Sequence, residues 1–173
     1  MFISLLKIKA DLPQREDIID LLDNMVNICN EGFREILTSL HNTYLEKHGL
    51  IKTIEKDVQN IFGTISIKLE NNIENMRFPQ NIEVNYYYIF RELVSNAIKH
   101  SCTSKVTVIL KYANQTLSMN ICDYGCGLKQ SNKSERGLIN LQNRVKQING
   151  KYFIRSKDGC GTRIIVRTKM TTF

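Results

Sequence analysis

The apolar positions change period several times along the chain, and each change marks an element. Ile18, Leu22, Met25, Cys29, Phe33, Ile36 and Leu40 follow at steps of three and four. That spacing predicts a helix over 13–40 with one apolar seam close to a heptad. Pro13 near its start forfeits no hydrogen bond there. Glu16, Asp17 and Asp20 suit the positive end of the helix. The apolar stretch 1–10 reads as a short antiparallel companion. Ile51, Ile54, Val58 and Ile61 predict a second helix over 50–61, with His48-Gly49 closing the region before it. Ile65, Ile67 and Leu69 alternate and predict a strand over 64–69.

Residues 71–80 are polar and read as a loop. Tyr87, Phe90, Leu93, Val94, Ala97 and Ile98 share one side of a helix over 84–100. Strands over 106–112 and 117–122 follow, joined by a hairpin at Asn114-Gln115. A polar, glycine-bearing loop spans 123–136. Leu138, Leu141, Val145 and Ile148 predict a helix over 137–148, stopped by Asn149-Gly150. Strands over 152–155 and 163–169 flank Gly159-Cys160-Gly161, a second hairpin. This order predicts an α+β fold: a two-layer sandwich, its mixed sheet covered by helices on one face, preceded by a helical hairpin. The expected domains are 1–48 and 49–173. Tyr86, Tyr87 and Tyr88 lie on a helix, which favours packing over base stacking.

Composition narrows the class. The chain has 173 residues, 42% hydrophobic and 24% charged. Disordered and collagen-like classes are excluded. No apolar run approaches the roughly 18 residues of a membrane span. The first ten residues lack the basic start and cleavage site of a signal peptide. The five cysteines, Cys29, Cys102, Cys122, Cys126 and Cys160, include no Cys-x-x-Cys pair. A disulfide framework and a structural zinc site are disfavoured, and a cytoplasmic setting is expected. The net charge of +7 is unevenly spread. Residues 129–173 hold 11 Lys/Arg against only Glu135 and Asp158. An anion would be drawn to this last quarter.

Three short segments carry candidate chemistry. In RELVSNAIKHS (91–101), Glu92, Asn96, Lys99 and His100 share one helix face. A carboxylate, an amide oxygen and two cations can together hold a metal and a phosphate, and magnesium takes hard oxygen ligands. In DYGCGL (123–128), a strand ends in an acid followed by Gly125 and Gly127. Such an acid can accept from an exocyclic amine, and glycines let backbone approach a ligand. In RGLINLQNRV (136–145), Gly137 opens a helix whose N–H groups suit an anion. Gly159-Cys160-Gly161-Thr162 opens the last strand. The structural alternatives are an exposed helix face, a turn, a helix cap and a hairpin.

In this order and spacing the segments resemble the N, G1 and G2 boxes and the last glycine-threonine segment of the GHKL ATPase superfamily. The likeness is to the ATP-binding domain of bacterial sensor histidine kinases, over about 81–166. Only nine residues separate Gly127 from Gly137, which resembles the group with a short ATP lid. The resemblance implies the Bergerat fold, with ATP between the N-box helix and the lid. It implies that Asn96 holds Mg²⁺ and that Glu92 is the catalytic acid-position residue. Lys99 and His100 would contact phosphates. Asp123 would accept from adenine N6, with Thr162 nearby through water. Gly125, Gly127, Gly137 and Leu138 would complete the nucleotide site. The basic last quarter is expected to serve the lid.

The chain departs from that pattern at two places. Glu135 stands where the first G2 glycine is usual. The segment that should bear the phosphoacceptor histidine precedes 1–12 and is absent. His41 is followed by Asn42 and His48 by Gly49, while His100 belongs to the N box. The expectation is a fragment of a longer receptor that binds ATP–Mg²⁺ without phosphorylating itself. Expected partners are a response regulator and a second copy, a homodimer through the N-terminal helices. The alternatives are a stand-alone anti-sigma-type serine kinase and an adaptor with a vestigial site. Nucleic-acid binding has charge alone behind it.

Overall fold

The computed structural model describes residues 42–59, 65–101, 103, 105–127 and 135–170, with Leu22, Met25, Val26 and Cys29. Two compact units divide the chain, Met1–Asn42 and Thr43–Phe173. In the first, Leu22, Met25, Val26 and Cys29 are helical and exposed, Leu22, Met25 and Val26 by more than half. The remainder of the helix expected over 13–40, and the segment 1–10, lie outside the described residues.

The second unit runs α1 (42–59), β1 (Ser66–Asn71), α2 (Gln80–His100), β2 (Lys105–Ala113), β3 (Thr116–Asp123), α3 (Glu135–Gln147), β4 (Lys151–Lys157) and β5 (Gly161–Lys169). The sheet order is β1-β2-β3-β5-β4. β1 pairs with β2 in parallel, and the other three pairs are antiparallel. The mixed sheet with three helices is the α+β sandwich that the periodicity implies.

All three helices begin earlier than the apolar spacing predicts, α3 by two residues, at Glu135. α1 is helical from 42 and carries Gly49 within it at φ +81. Thr53 Oγ1 donates back to the Gly49 carbonyl at 2.8 Å. Leu45, Leu50, Ile51 and Ile54 are all buried, so tertiary packing outweighs the glycine's poor helix propensity. α2 starts at Gln80, directly after Pro79. The Pro79 carbonyl accepts from Ile82 and Glu83 at 2.8 and 3.1 Å. The buried Glu83 carboxylate takes Arg77 Nε at 3.0 Å, Arg77 Nη2 at 3.1 Å and the Phe78 amide at 3.0 Å. This clamp shapes the turn into the helix.

The strands alternate cleanly, as half-covered strands do. Val106, Val108 and Leu110 of β2, with Leu117, Met119 and Ile121 of β3, are buried on the helix side. They share one core with Tyr86, Phe90 and Val94 of α2 and Leu141, Val145 and Ile148 of α3. Tyr86 and Tyr87 are packing residues, each with a partner for its hydroxyl. Tyr86 OH donates to the Leu117 carbonyl at 2.8 Å, with Thr168 Oγ1 at 3.2 Å. Burial pushes its phenol up to about 12, so it remains a donor at physiological pH. Tyr87 OH donates to Asp57 Oδ2 at 2.7 Å, which ties α1 to α2.

Tyr86→Phe removes a buried donor and leaves its partners unmatched. It should cost about 1–2 kcal/mol in urea unfolding. An unchanged midpoint would mean that the hydroxyl contributes nothing.

Candidate functional site

α2 brings the first group together. Glu92 and Asn96 stand one turn apart, both half-buried, and Asn96 Nδ2 donates to Glu92 Oε1 at 3.2 Å. That bond commits the amide nitrogen and leaves Asn96 Oδ1 as the acceptor. The start of α3 lies on this pair. A Cβ at Gly137 would come within 3.0 Å of Asn96 Nδ2 and 3.2 Å of Glu92 Oε1. A glycine there lets two helices meet over polar side chains. Farther along α3, the Arg144 guanidinium stacks on the Tyr88 ring at 4.5 Å. Burial pulls Arg144 below its ordinary value, opposed by the charges of Tyr88 and Glu92.

The second group gathers where β3 ends. Asp123 is 8% exposed. Its Oδ1 accepts the Gly125 N–H at 3.0 Å and the Thr162 N–H at 3.2 Å. The two amides fix the carboxylate's orientation and leave Oδ2 to a further donor. Thr162, equally buried, has its hydroxyl 3.1 Å from Ser156 Oγ.

Backbone contacts hold this corner. Cys126 N–H donates to the Ser101 carbonyl at 2.8 Å, and Gly159 N–H to the Cys126 carbonyl at 3.0 Å. A Cβ on Gly125 would sit 1.8 Å from the Ser101 carbonyl oxygen. One on Gly127 would sit 2.5 Å from that of Lys157, and one on Gly161 2.1 Å from that of Asp123. No side chain fits at these three points. The loop after β3 is thus wedged between the end of α2 and the β4–β5 hairpin.

The structure therefore brings Glu92, Asn96 and Gly137 together, and separately Asp123, Gly125, Gly127 and Thr162. Leu138 is half-buried on α3, and Lys99 is exposed near the end of α2. The side chains of His100, Glu135 and Arg136, and residues 128–134, lie outside the described residues. Sequence reasoning gives no role to Ser101 or Arg144 and takes Gly161 only as part of the glycine-threonine segment. Ser101 and Gly161 act through backbone atoms, which no side-chain pattern advertises. The paired glycines around Cys160 were the available signal.

This geometry has relatives. The profile of the histidine kinase-, DNA gyrase B- and HSP90-like ATPases matches residues 81–172. The chain belongs to this ATPase family. It is 30% identical over 166 residues to the sensor protein VraS of Staphylococcus saprophyticus, covering 95% of this chain and 47% of that protein. It is also 30% identical over 155 residues to the signal transduction histidine-protein kinase/phosphatase DegS of Brevibacillus brevis, covering 87% and 40%. The chain thus spans less than half of either relative. Among solved structures, the Acinetobacter baumannii histidine kinase AdeS aligns at TM-score 0.60 and 16% identity, over 98% of this chain and 95% of that one. The Erythrobacter litoralis EL346 blue-light activated histidine kinase aligns at 0.58 and 16%, over 70% and 42%. At that identity the likeness is one of fold. As a member of the ATPase family the chain is an ATP-binding domain.

Two glycines of one hairpin give a matched test. Gly159 and Gly161 both have left-handed backbone, at φ +69 and +82. A Cβ at Gly159 meets nothing within 4 Å. Gly159→Ala should cost about 1 kcal/mol, the conformational penalty alone. Gly161→Ala must also move the Asp123 backbone and should cost about 3 kcal/mol or more. Equal thermal shifts for the two variants would show that the contact with Asp123 does not matter.

Proposed function

We propose that this chain is the catalytic domain of a sensor histidine kinase that binds ATP with Mg²⁺. In the complete protein the γ-phosphoryl group would pass to a histidine outside this chain, then to a response regulator. The observation that carries the reading is the anchored Asp123 carboxylate at one end of a corner whose other end holds the Glu92–Asn96 pair. Asp123 Oδ2 has the position and free lone pairs to accept from adenine N6. Thr162, beside it, would reach the base through water.

The Mg²⁺ reading rests on donor chemistry. Asn96 Oδ1 and the Glu92 carboxylate are hard oxygens on one helix face, the set magnesium prefers beside phosphates. Asn96 would hold the ion, which when bound neutralises phosphate charge. Glu92 orients the Asn96 amide and stands ready as the catalytic acid-position residue. Lys99 and His100 would face phosphates, and Gly137 and Leu138 would bring the N–H groups opening α3 towards them. Gly125 and Gly127 keep the base-side wall free of side chains. Catalysis would consist mainly of positioning and charge stabilisation, since the transferring phosphoryl group needs little covalent help.

Two partners belong to the same proposal. The exposed Leu22, Met25 and Val26 support a homodimer through the N-terminal helices. A response regulator would receive the phosphoryl group. The boundary between dimerisation helices and ATP domain is proposed near residue 48. No helix among the described residues is long and apolar enough to cross a membrane. We place the domain in the cytoplasm.

Calorimetry of ATP and ADP, with and without Mg²⁺, tests the site. Asp123→Asn should weaken both nucleotides at least about tenfold, since a donor replaces an acceptor oxygen. Asn96→Ala should remove the benefit of Mg²⁺ while ADP alone still binds. A folded chain that binds neither nucleotide at millimolar concentration would make the site vestigial and the adaptor reading correct.

Self-labelling is a separate test. None of His41, His48 and His100 is followed by an acid. His48 packs its ring against Tyr44 on α1, with centroids 4.2 Å apart. With radiolabelled ATP this chain alone should stay unlabelled. Acid-labile phosphate on any of the three histidines would refute that.

A further inference from the structure

Six of the eleven basic residues of the last quarter stand on β4 and β5. Alternation along β4 and β5 turns Lys151, Arg155, Lys157, Arg163 and Arg167 to the side of the sheet opposite α2 and α3, and all five are exposed. Lys68 of β1 and Lys105 and Lys111 of β2 share that side. Among the described residues the only acid at an outward strand position is Glu70, already paired with Lys68 at 2.7 Å. The register opposes like charges directly, Arg155 to Arg163 and Lys151 to Arg167. Such pairs destabilise a sheet unless a counter-charge arrives. An ordinary solvated surface intersperses both signs.

We propose that this open face is a docking surface for an anionic phospholipid bilayer. The charge is spread across a sheet rather than gathered in a groove, so it matches a plane of phosphates. Arg155 and Arg163 border two neighbouring depressions of about 690 and 310 Å³, and guanidinium forks suit phosphate oxygens. Between the basic rows lies a short apolar row. Phe153, half exposed, pairs with Ile165, and Ile109 stands beyond Asn120 on the same line. Tyr124, 58% exposed, lies beside Thr107 with its hydroxyl 3.3 Å from Oγ1. Basic residues with exposed aromatics are the composition that binds the headgroup level.

A nucleic acid fits less well. The central strand β3 shows Ser118, Asn120 and Cys122 outward, with no aromatic on which a base could stack. No helix or ribbon projects from the face to enter a groove. Asp123 faces the helix-covered side, so docking leaves the nucleotide corner open.

The test is co-sedimentation of the chain with phosphatidylcholine vesicles, alone or mixed with phosphatidylglycerol. Binding should need phosphatidylglycerol and weaken as salt is raised. Arg155→Gln with Arg163→Gln should lower partitioning at least about tenfold. Lys52→Gln with Lys146→Gln removes the same charge from exposed helix positions and should leave partitioning nearly unchanged. Circular dichroism and ADP binding equal to the parent would show both double variants folded. Three results would overturn the proposal. One is no binding to the mixed vesicles. Another is equal loss in both double variants, which means net charge alone. The third is a mobility shift with duplex or single-stranded DNA, lost in the arginine variant, without vesicle binding.

Discussion

One oxygen atom, Asp123 Oδ1, joins chain segments 39 residues apart by accepting the N–H groups of Gly125 and Thr162. The rest of the corner depends on that junction. The loop after β3 turns back sharply enough to press Gly125 on the Ser101 carbonyl, and β5 starts close enough for Gly161 to press on Asp123. These are backbone-to-backbone contacts, closer than any side chain allows. They lock the end of α2, the end of β3 and the start of β5 into one body. The bonds that orient the carboxylate are therefore the bonds that close the fold at this end. A group so held meets a ligand without reorganising, which is the main benefit of a pre-organised site.

α2 does the same at the other end of the site. Its inner side carries Tyr86, Phe90, Leu93, Val94 and Ala97 in the core. Its remaining arc carries Glu92 and Asn96, half-buried beneath α3. A side chain one turn from a packed residue cannot drift, because the helix is rigid and its rotamers are few. The Tyr86 hydroxyl bonded to the Leu117 carbonyl sets the helix against β3, whose far end is Asp123. Position in the site is thus inherited from position in the core. The Gly137 contact adds a constraint between the helices: α3 can approach α2 this closely only where no Cβ intervenes.

Much of this was legible in the chain because the elements are strongly periodic. The alternation of Ile65, Ile67 and Leu69 marked β1, and Leu138, Leu141, Val145 and Ile148 marked α3. Legibility failed where local signals compete with packing. Gly49 reads as a stop, yet α1 continues through it because Leu45 adds to the buried stripe. Residues 71–80 read as loop and the helix as starting at 84, yet Pro79 and the Glu83 clamp start α2 at Gln80. The site divides along the same line. Glu92, Asn96 and Asp123 announce themselves as side chains of the right type at the right spacing. Ser101 and Gly161 contribute carbonyls and empty space, which only the fold brings into register.

A charge count along the chain does not say which face carries the charge. Strand alternation divides neighbours between opposite faces. Thr162 and Arg163 are adjacent in the chain; one bonds Asp123 through its amide, and the other stands on the open face. A two-residue period lets a single strand serve two environments without compromise, since each face sees only every second residue. β5 uses this fully: Thr162, Val166 and Thr168 are buried on the helix side, while Arg163 and Arg167 are exposed on the other. The sheet is therefore a partition. The proposed nucleotide corner lies on its covered side, beneath the helices. The basic rows lie on the bare side, where Glu70 is the one opposing acid at a described strand position. Because the backbone ladder between them is common, changes of charge on the bare side can be made without touching a single contact of Asp123.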